Sequence, residues 1–273
     1  MSNPDPAASA SVKKVVDARK LSLVFGEGES AVHALNDVDL AIEDGEFVSF
    51  IGPSGCGKTT LMRVIADLEK PTGGEIMVHG GTPEQARIDR AYGYVFQAPA
   101  LYPWRTVRRN ALLPLELMGM DKALREERVA KYLRLVGLEG FEKKFPWQLS
   151  GGMQQRVSIA RALGFEPDLL LMDEPFGALD EITRDHLNEQ LIHLWQETGK
   201  TVIFVTHSIP EAVFLSTKIV VMSPRPGRIN KIINCSPPPD RTLDWRETND
   251  FLEVAHEVRE ALRAGHSYDD QGA

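Results

Sequence analysis

The chain has 273 residues, 31 Lys and Arg against 39 Asp and Glu, and a net charge of -8, so it lacks the basic footprint of a nucleic-acid binder. Its 42% hydrophobic content fills a proper core, while its two cysteines, Cys56 and Cys235, offer neither metal-ligand spacing nor a disulfide framework and fit a reducing cytosol. No apolar run approaches the roughly 20 residues of a membrane helix, which leaves any membrane role to a partner.

In chain order, residues 1–14 are rich in Ala, Ser and Pro with no apolar stretch and resemble a loose tail, not a secretory signal; the flexible tail is placed at 1–18. Leu21 to Phe25, Val38 to Ile42 and Ile76 to Val78 read as short strands joined by turns such as Glu43-Asp-Gly45, which suggests a small β-rich lobe. Between them Glu46-Phe-Val-Ser-Phe-Ile51 reads as a buried strand, followed by Gly52-Pro53-Ser54-Gly55-Cys56-Gly57-Lys58-Thr59 and a helix from Thr60 to Leu68. Strand, glycine loop and helix in that order are the context a phosphate-binding loop requires. The glycines let successive N–H groups face phosphates, Lys58 brings a point charge to the terminal phosphates, and the Thr59 hydroxyl suits Mg²⁺. The chain therefore binds a nucleoside triphosphate. Cys56, beside Lys58 and a helix N-terminus, is expected to favour thiolate and to be alkylated unless ATP protects it; the competing reading is a small filler residue.

From Asp121 to Gly137 the texture turns helical, with Asp121 as N-cap, Val129, Leu133 and Val136 on one face, and Gly137 as the stop. Beyond Pro167 the strands return as Leu169 to Asp173, Thr201 to Thr206 and Ile219 to Met222, with a helix from Asp180 to Thr198. Alternation of strand and helix predicts an α/β fold with a parallel sheet, its core split around a helical insertion. After Pro237-Pro-Pro239, Phe251, Val254, Val258 and Leu262 mark one face of a last helix that either packs on the core or regulates it. The strand Leu169 to Asp173 ends in two carboxylates. A central parallel strand delivers its C-terminal end to the ligand crevice, so Asp173 is placed to hold metal and Glu174 to handle water, where a mere turn cap before Pro175 is the alternative.

With Leu149-Ser150-Gly151-Gly152-Met-Gln154-Gln-Arg156 shortly before that strand, the sequence resembles the nucleotide-binding subunit of ATP-binding-cassette (ABC) transporters over about 21–229. Ser150 caps the following helix, and Gly151 and Gly152 allow close backbone approach, which makes a second anion site. The resemblance implies a phosphate-loop NTPase core with an antiparallel β-rich lobe and an inserted helical subdomain, divided as 19–97, 98–155 and 156–229, with 230–273 as a C-terminal extension. It implies hydrolysis of ATP with Mg²⁺ in a head-to-tail dimer, each ATP pinned between the phosphate loop of one subunit (Gly52 to Lys58, Thr59, Thr60) and the signature Ser150, Gly151, Gly152 and Gln154 of the other. Residue by residue, Gln97 matches the glutamine that contacts Mg²⁺ with Thr59 and Asp173, and Glu174 the general base. His207 matches the switch histidine, Asp180 the loop coupling the two sites, and Phe25 the aromatic stacked on adenine, where the family more often has Tyr.

A single cassette without long coiled coils or a membrane span points to the separate ATPase of an importer. The segment Ala98 to Val107 resembles the nitrate, sulfonate and taurine branch, which includes relatives for pyrimidine precursors, although Tyr102 stands where the family typically has Leu. The implied partners are a second copy or a second cassette, an integral-membrane permease met by Tyr102, Pro103 and Trp104, and indirectly a substrate-binding protein, with no nucleic acid. The implied location is peripheral, on the cytoplasmic face of the inner membrane. The rival reading, a transporter-independent ATPase acting on nucleic acid or ribosomes, runs against the acidic charge and the single cassette.

Overall fold

The computed structural model describes residues 13–266. The chain runs β1 (Lys14–Phe25), β2 (Val32–Glu43), β3 (Phe47–Ile51), α1 (Lys58–Ile65), β4 (Gly73–Val78), α2 (Pro83–Ile88), β5 (Tyr92–Val95) and α3 (Val107–Leu117). It continues through α4 (Lys122–Leu135), α5 (Gly151–Leu163), β6 (Leu169–Asp173), α6 (Glu181–Thr198), β7 (Thr201–Thr206), α7 (Ile209–Leu215), β8 (Lys218–Met222), β9 (Ile229–Asn234) and α8 (Asn249–His266). An antiparallel sheet in the order β2-β1-β4 lies beside a six-stranded sheet in the order β5-β6-β7-β3-β8-β9, parallel except for the β8–β9 pair.

The period of two along the central strands divides their side chains between two cores. Phe47 and Ile51 of β3, Leu170 and Met172 of β6, and Val202 and Phe204 of β7 join one core with α3 to α8. Their alternates Val48, Phe50, Leu169, Leu171, Ile203 and Val205 join α1 and the antiparallel sheet in the other. Burial on both faces is why these strands read as unbroken apolar runs and not as alternating ones.

Register assembles the crevice. Ile51 pairs with Thr206, and Asp173 with Val205, so the C-terminal ends of β3, β6 and β7 finish side by side. The residues that follow each strand, the phosphate loop after Ile51, Glu174 after Asp173 and His207 after Thr206, are delivered to one edge.

Three of the expected boundaries move. The part of the tail at 1–12 lies outside the described residues, but Lys14 to Ala18 belongs to β1, where Val15 and Val16 are fully buried. The strand escapes a sequence reading because Asp17 and Arg19 interrupt its apolar pattern. The boundary at 155/156 falls inside α5, and that at 229/230 falls inside β9, whose pairing with β8 makes it part of the core sheet. Helix α8 buries Phe251 and Val258 in the core beside α7, β8 and β9, so this segment packs as structure, while 267–273 lie outside the described residues.

Candidate functional site

A cleft of about 240 Å³ opens at that edge, lined by Phe25, Val32, Ala34, Ser54, Gly55, Gly57, Lys58, Thr59, Thr60, Glu174 and Arg225. The loop glycines divide their labour. Gly55 and Gly57 take positive φ values of 75° and 99°, which a side chain rarely adopts. Gly52 instead lets the loop lie against β8, since a Cβ there would stand 2.8 Å from the Met222 carbonyl oxygen. Lys58 is 5% exposed, and its ammonium donates to the carbonyls of Gly52 and Pro53 at 2.8 and 2.9 Å. Its charge is thus held within the loop and aimed along it.

Cys56 corrects an expectation. It is 1% exposed and packs with the core between the two sheets, and burial pushes its thiol up despite the Lys58 charge. The filler reading holds: Cys56 contributes its backbone to the loop, and its sulfur is neither accessible nor biased to thiolate.

The Thr59 hydroxyl donates to Asp173 Oδ1 at 2.9 Å. Burial raises the Asp173 carboxyl, the Thr59 bond opposes this, and the Glu174 charge adds to it. Tyr94 on β5 lies beside Asp173 and is itself raised, first by burial and then by that charge. Glu174 has a φ of +44°, an uncommon conformation for a residue with a Cβ, held by its N–H on the Val205 carbonyl at 3.0 Å and by its own carbonyl, which accepts from Gly177 at 3.1 Å. That turn swings its carboxylate into the cleft, where Oε2 lies 3.5 Å from His207 Nδ1. Gln97 is exposed two residues past β5, whose Val95 pairs with Met172, and so stands at the same edge without a direct bond to Thr59 or Asp173. Phe25 is 41% exposed and faces the cleft.

The signature lies elsewhere. Ser150 caps α5 by accepting from the Met153 N–H at 3.2 Å, and Gln154 donates to the Leu149 carbonyl at 3.3 Å. None of Ser150, Gly151, Gly152 or Gln154 lines the cleft. Gly152 is buried, and a Cβ there would meet Thr183 Cγ2 of α6 at 3.0 Å, so this glycine also serves the close packing of α5 on α6. Asp180 caps α6 through the Thr183 N–H at 2.9 Å, which holds its carboxyl below the ordinary range. Tyr102, Pro103 and Trp104 are exposed, with the Tyr102 and Trp104 rings 5.1 Å apart. Their loop is pinned by the buried Asn110, whose side chain accepts from the Tyr102 N–H and donates to the carbonyls of Tyr102, Arg105 and Thr106.

The structure adds residues that carry no motif. Arg225, between β8 and β9, lines the cleft and donates to the Gly55 carbonyl at 3.5 Å. Gly227 in the same hairpin presses on the loop, because a Cβ there would stand 2.2 Å from the Cys56 carbonyl oxygen. Gly227→Ala is expected to shift the phosphate loop and weaken ATP binding about tenfold or more, read by nucleotide titration, while lowering the melting temperature only a few degrees; unchanged affinity would contradict the contact's role.

Glu211 is 5% exposed on α7. Burial pushes its carboxyl from 4.5 up to about 7, against the hydrogen bond from Thr206. The folded chain therefore keeps a proton that the unfolded chain releases, and this stabilisation is present at low pH and lost as pH rises from about 4.5 to about 7. Denaturant titrations should show wild type losing on the order of 3 kcal/mol across that window relative to Glu211→Gln. Parallel profiles for the two would contradict it.

Fold and site together define a phosphate-loop nucleotide-binding protein in which the Ser150 segment lies outside the cleft. The family model described as ABC transporter matches residues 35–177, more than half of the chain. An aliphatic sulfonates import ATP-binding protein of Bacillus cereus is 41% identical over 92% of this chain and 96% of its own length. A taurine import ATP-binding protein of Rhizobium johnstonii is 46% identical over 85% and 88%, and an uncharacterized ABC transporter ATP-binding protein of Methanocaldococcus jannaschii is 46% identical over 92% of each chain. Among solved structures, a bacterial ABC transporter cassette in dimeric form is 36% identical with a TM-score of 0.71, covering 82% of this chain and all of its own. A dimeric post-hydrolysis state bound to ADP and Pi superposes with the same TM-score at 37% identity, again over 82% of this chain and all of its own. The chain belongs to the ABC transporter family, as its ATP-binding and ATP-hydrolysing subunit.

Proposed function

We propose that this ATPase drives an importer of small sulfonates, with two cassettes docked head to tail beneath a separate permease. The observation that carries the dimer is the separation within one chain of the cleft from the Ser150 signature, together with the dimeric form of the solved relatives. A second cassette, identical or related, brings its own Ser150, Gly151, Gly152 and Gln154 to complete the cleft of the first. The cargo class comes from the two importer subunits named above, since aliphatic sulfonates and taurine share the sulfonate group. Nitrate and pyrimidine precursors are the neighbouring classes, and nothing in the relatives favours nucleic acid.

Within the cleft, Phe25 stacks on the adenine, the loop N–H groups of residues 52–58 and Lys58 bind the phosphates, and Glu174 takes the proton of the attacking water. His207 fixes the Glu174 carboxylate and the terminal phosphate in one arrangement. Thr59 and Asp173, with Gln97, would hold Mg²⁺: a hydroxyl and a buried carboxylate 2.9 Å apart are hard oxygen donors, and the raised Asp173 carboxyl is one that a divalent cation relieves. When bound, that ion offsets the charge on the phosphates. Asp180 couples the two clefts across the dimer. Tyr102, Pro103 and Trp104 form an aromatic platform on a rigid loop, suited to receive a helix of the permease. By likeness to the importer subunits named above, attachment is peripheral, on the cytoplasmic face of the inner membrane, with a substrate-binding protein supplying cargo from the other side; no helix of the described residues is long and apolar enough to cross a membrane.

Deleting the gene in its host and testing growth with taurine or an alkanesulfonate as sole sulfur source examines this directly. Loss of growth on sulfonates, restored by wild type and not by Glu174→Gln, is the expected result. Normal growth on every sulfonate, with a defect on nitrate, would reassign the cargo while leaving the ATPase intact.

A further inference from the structure

The exposed His207 rides on a buried polar clamp. Thr206, 2% exposed at the end of β7, donates its hydroxyl to Glu211 Oε2 and accepts from the Ser208 N–H at 3.0 Å. Ser208 in turn accepts from the Glu211 N–H at 3.4 Å and caps α7. Ser208 and Glu211 have the spacing of a capping box, in which the glutamate would accept from the Ser208 N–H. Here that N–H is taken by Thr206, and the carboxyl closes on Thr206 instead. His207 is thus the middle residue of a three-residue turn pinned on both sides to Glu211.

A helix start does not need this arrangement. An ordinary cap is solvated, whereas Glu211 is buried, with its other oxygen Oε1 lacking a hydrogen-bond partner. The charged groups facing it come from two further elements. Arg184 and Asp185 project from α6, and Arg246 from the segment Leu243–Glu247, where it bonds Asp185. Arg184 also donates to the Leu179 carbonyl at 2.8 Å, in the loop that precedes Asp180. The clamp behind His207 therefore shares Arg184 with the loop assigned to coupling the two clefts.

We propose that Glu211 is a positioning residue for hydrolysis: its buried carboxyl, through Thr206, holds the turn that keeps the His207 ring against Glu174. It touches neither nucleotide nor water and acts only through His207. This rests on the reading of His207 as the switch residue of the cleft.

Steady-state ATPase kinetics of the full-length chain test it, with Glu211→Ala, Thr206→Val and Thr206→Ser each made with His207 present and with His207→Ala. Glu211→Ala and Thr206→Val should each lower kcat about tenfold with KM for ATP within about twofold of wild type. Thr206→Ser, which keeps the hydroxyl, should recover most of the rate that Thr206→Val loses. In the His207→Ala background Glu211→Ala and Thr206→Val should cost nothing further, because the group they position is gone. Multiplying defects in that background, or a raised KM with unchanged kcat, would overturn the proposal while leaving the assignment of His207 in place. Wild-type turnover by His207→Ala alone would overturn both. Thr206→Val conserves shape and keeps the test intact if Glu211→Ala does not fold.

Discussion

Glu174→Gln should bind ATP as tightly as wild type and turn it over about 10² to 10⁴ times more slowly, the range expected when a positioned general base is lost. The substitution preserves the shape of the side chain and its reach toward His207, 3.5 Å away, while removing the basic oxygen. The backbone turn at φ +44° is held by main-chain bonds to Val205 and Gly177, which the amide does not disturb. Binding is supplied by other groups, namely the loop and Lys58. The expected signature is accordingly a fall in kcat with little change in affinity, measured by phosphate release and by nucleotide titration on one preparation. Wild-type turnover would remove Glu174 from its role, and a matching loss of affinity would make it a binding residue instead.

Lys58→Ala should act on the other quantity. Its ammonium is the cation that the loop holds internally, on the carbonyls of Gly52 and Pro53. ATP would replace those neutral carbonyls with phosphate oxygens, a charge-assisted contact worth more than a neutral hydrogen bond. Losing it is expected to weaken ATP about a hundredfold, the equivalent of roughly 3 kcal/mol. The Lys58–Gly52 bond is buried, so the Gly52 carbonyl loses its partner, and the melting temperature of the nucleotide-free chain should fall by a few degrees as well. An unaltered ATP affinity would mean that the loop amides alone bind the phosphates.

How much of this was legible in the sequence depended on whether a role is local. The phosphate loop, the Asp173–Glu174 pair and the Ser150 cap belong to short segments whose backbone chemistry is set by their own residues, and each stands where the motif placed it. Asp121 and Asp180 cap α4 and α6 as their sequence positions required. Sequence leaves Cys56 open between thiolate and filler because its side-chain direction follows from the loop's curl, which turns the sulfur into the core; proximity to Lys58 in sequence does not specify that. Arg225 and Gly227 could not be found, since they meet the loop only through the pairing of β8 with β3 and the hairpin to β9. Glu211 carries no motif, and its place in the first turn of α7 gives no sign of burial. Only the packing of α7 against α6 and the segment at Leu243–Glu247 buries it. The first strand is legible only from Leu21 because Asp17 and Arg19, paired with each other at 3.0 Å, mask the buried Val15, Val16 and Ala18.

In the proposed dimer each chain holds half of each ATP site. This arrangement is tested most directly by the mass in solution of the Glu174→Gln chain with Mg²⁺ and ATP, alone and with Ser150→Glu added, which places a charge where the partner's phosphate would lie. Twice the monomer mass with ATP, monomer without it, and monomer whenever Ser150→Glu is present is the expected result. A monomer that binds ATP at full affinity, or a dimer indifferent to Ser150, would rule out the head-to-tail arrangement.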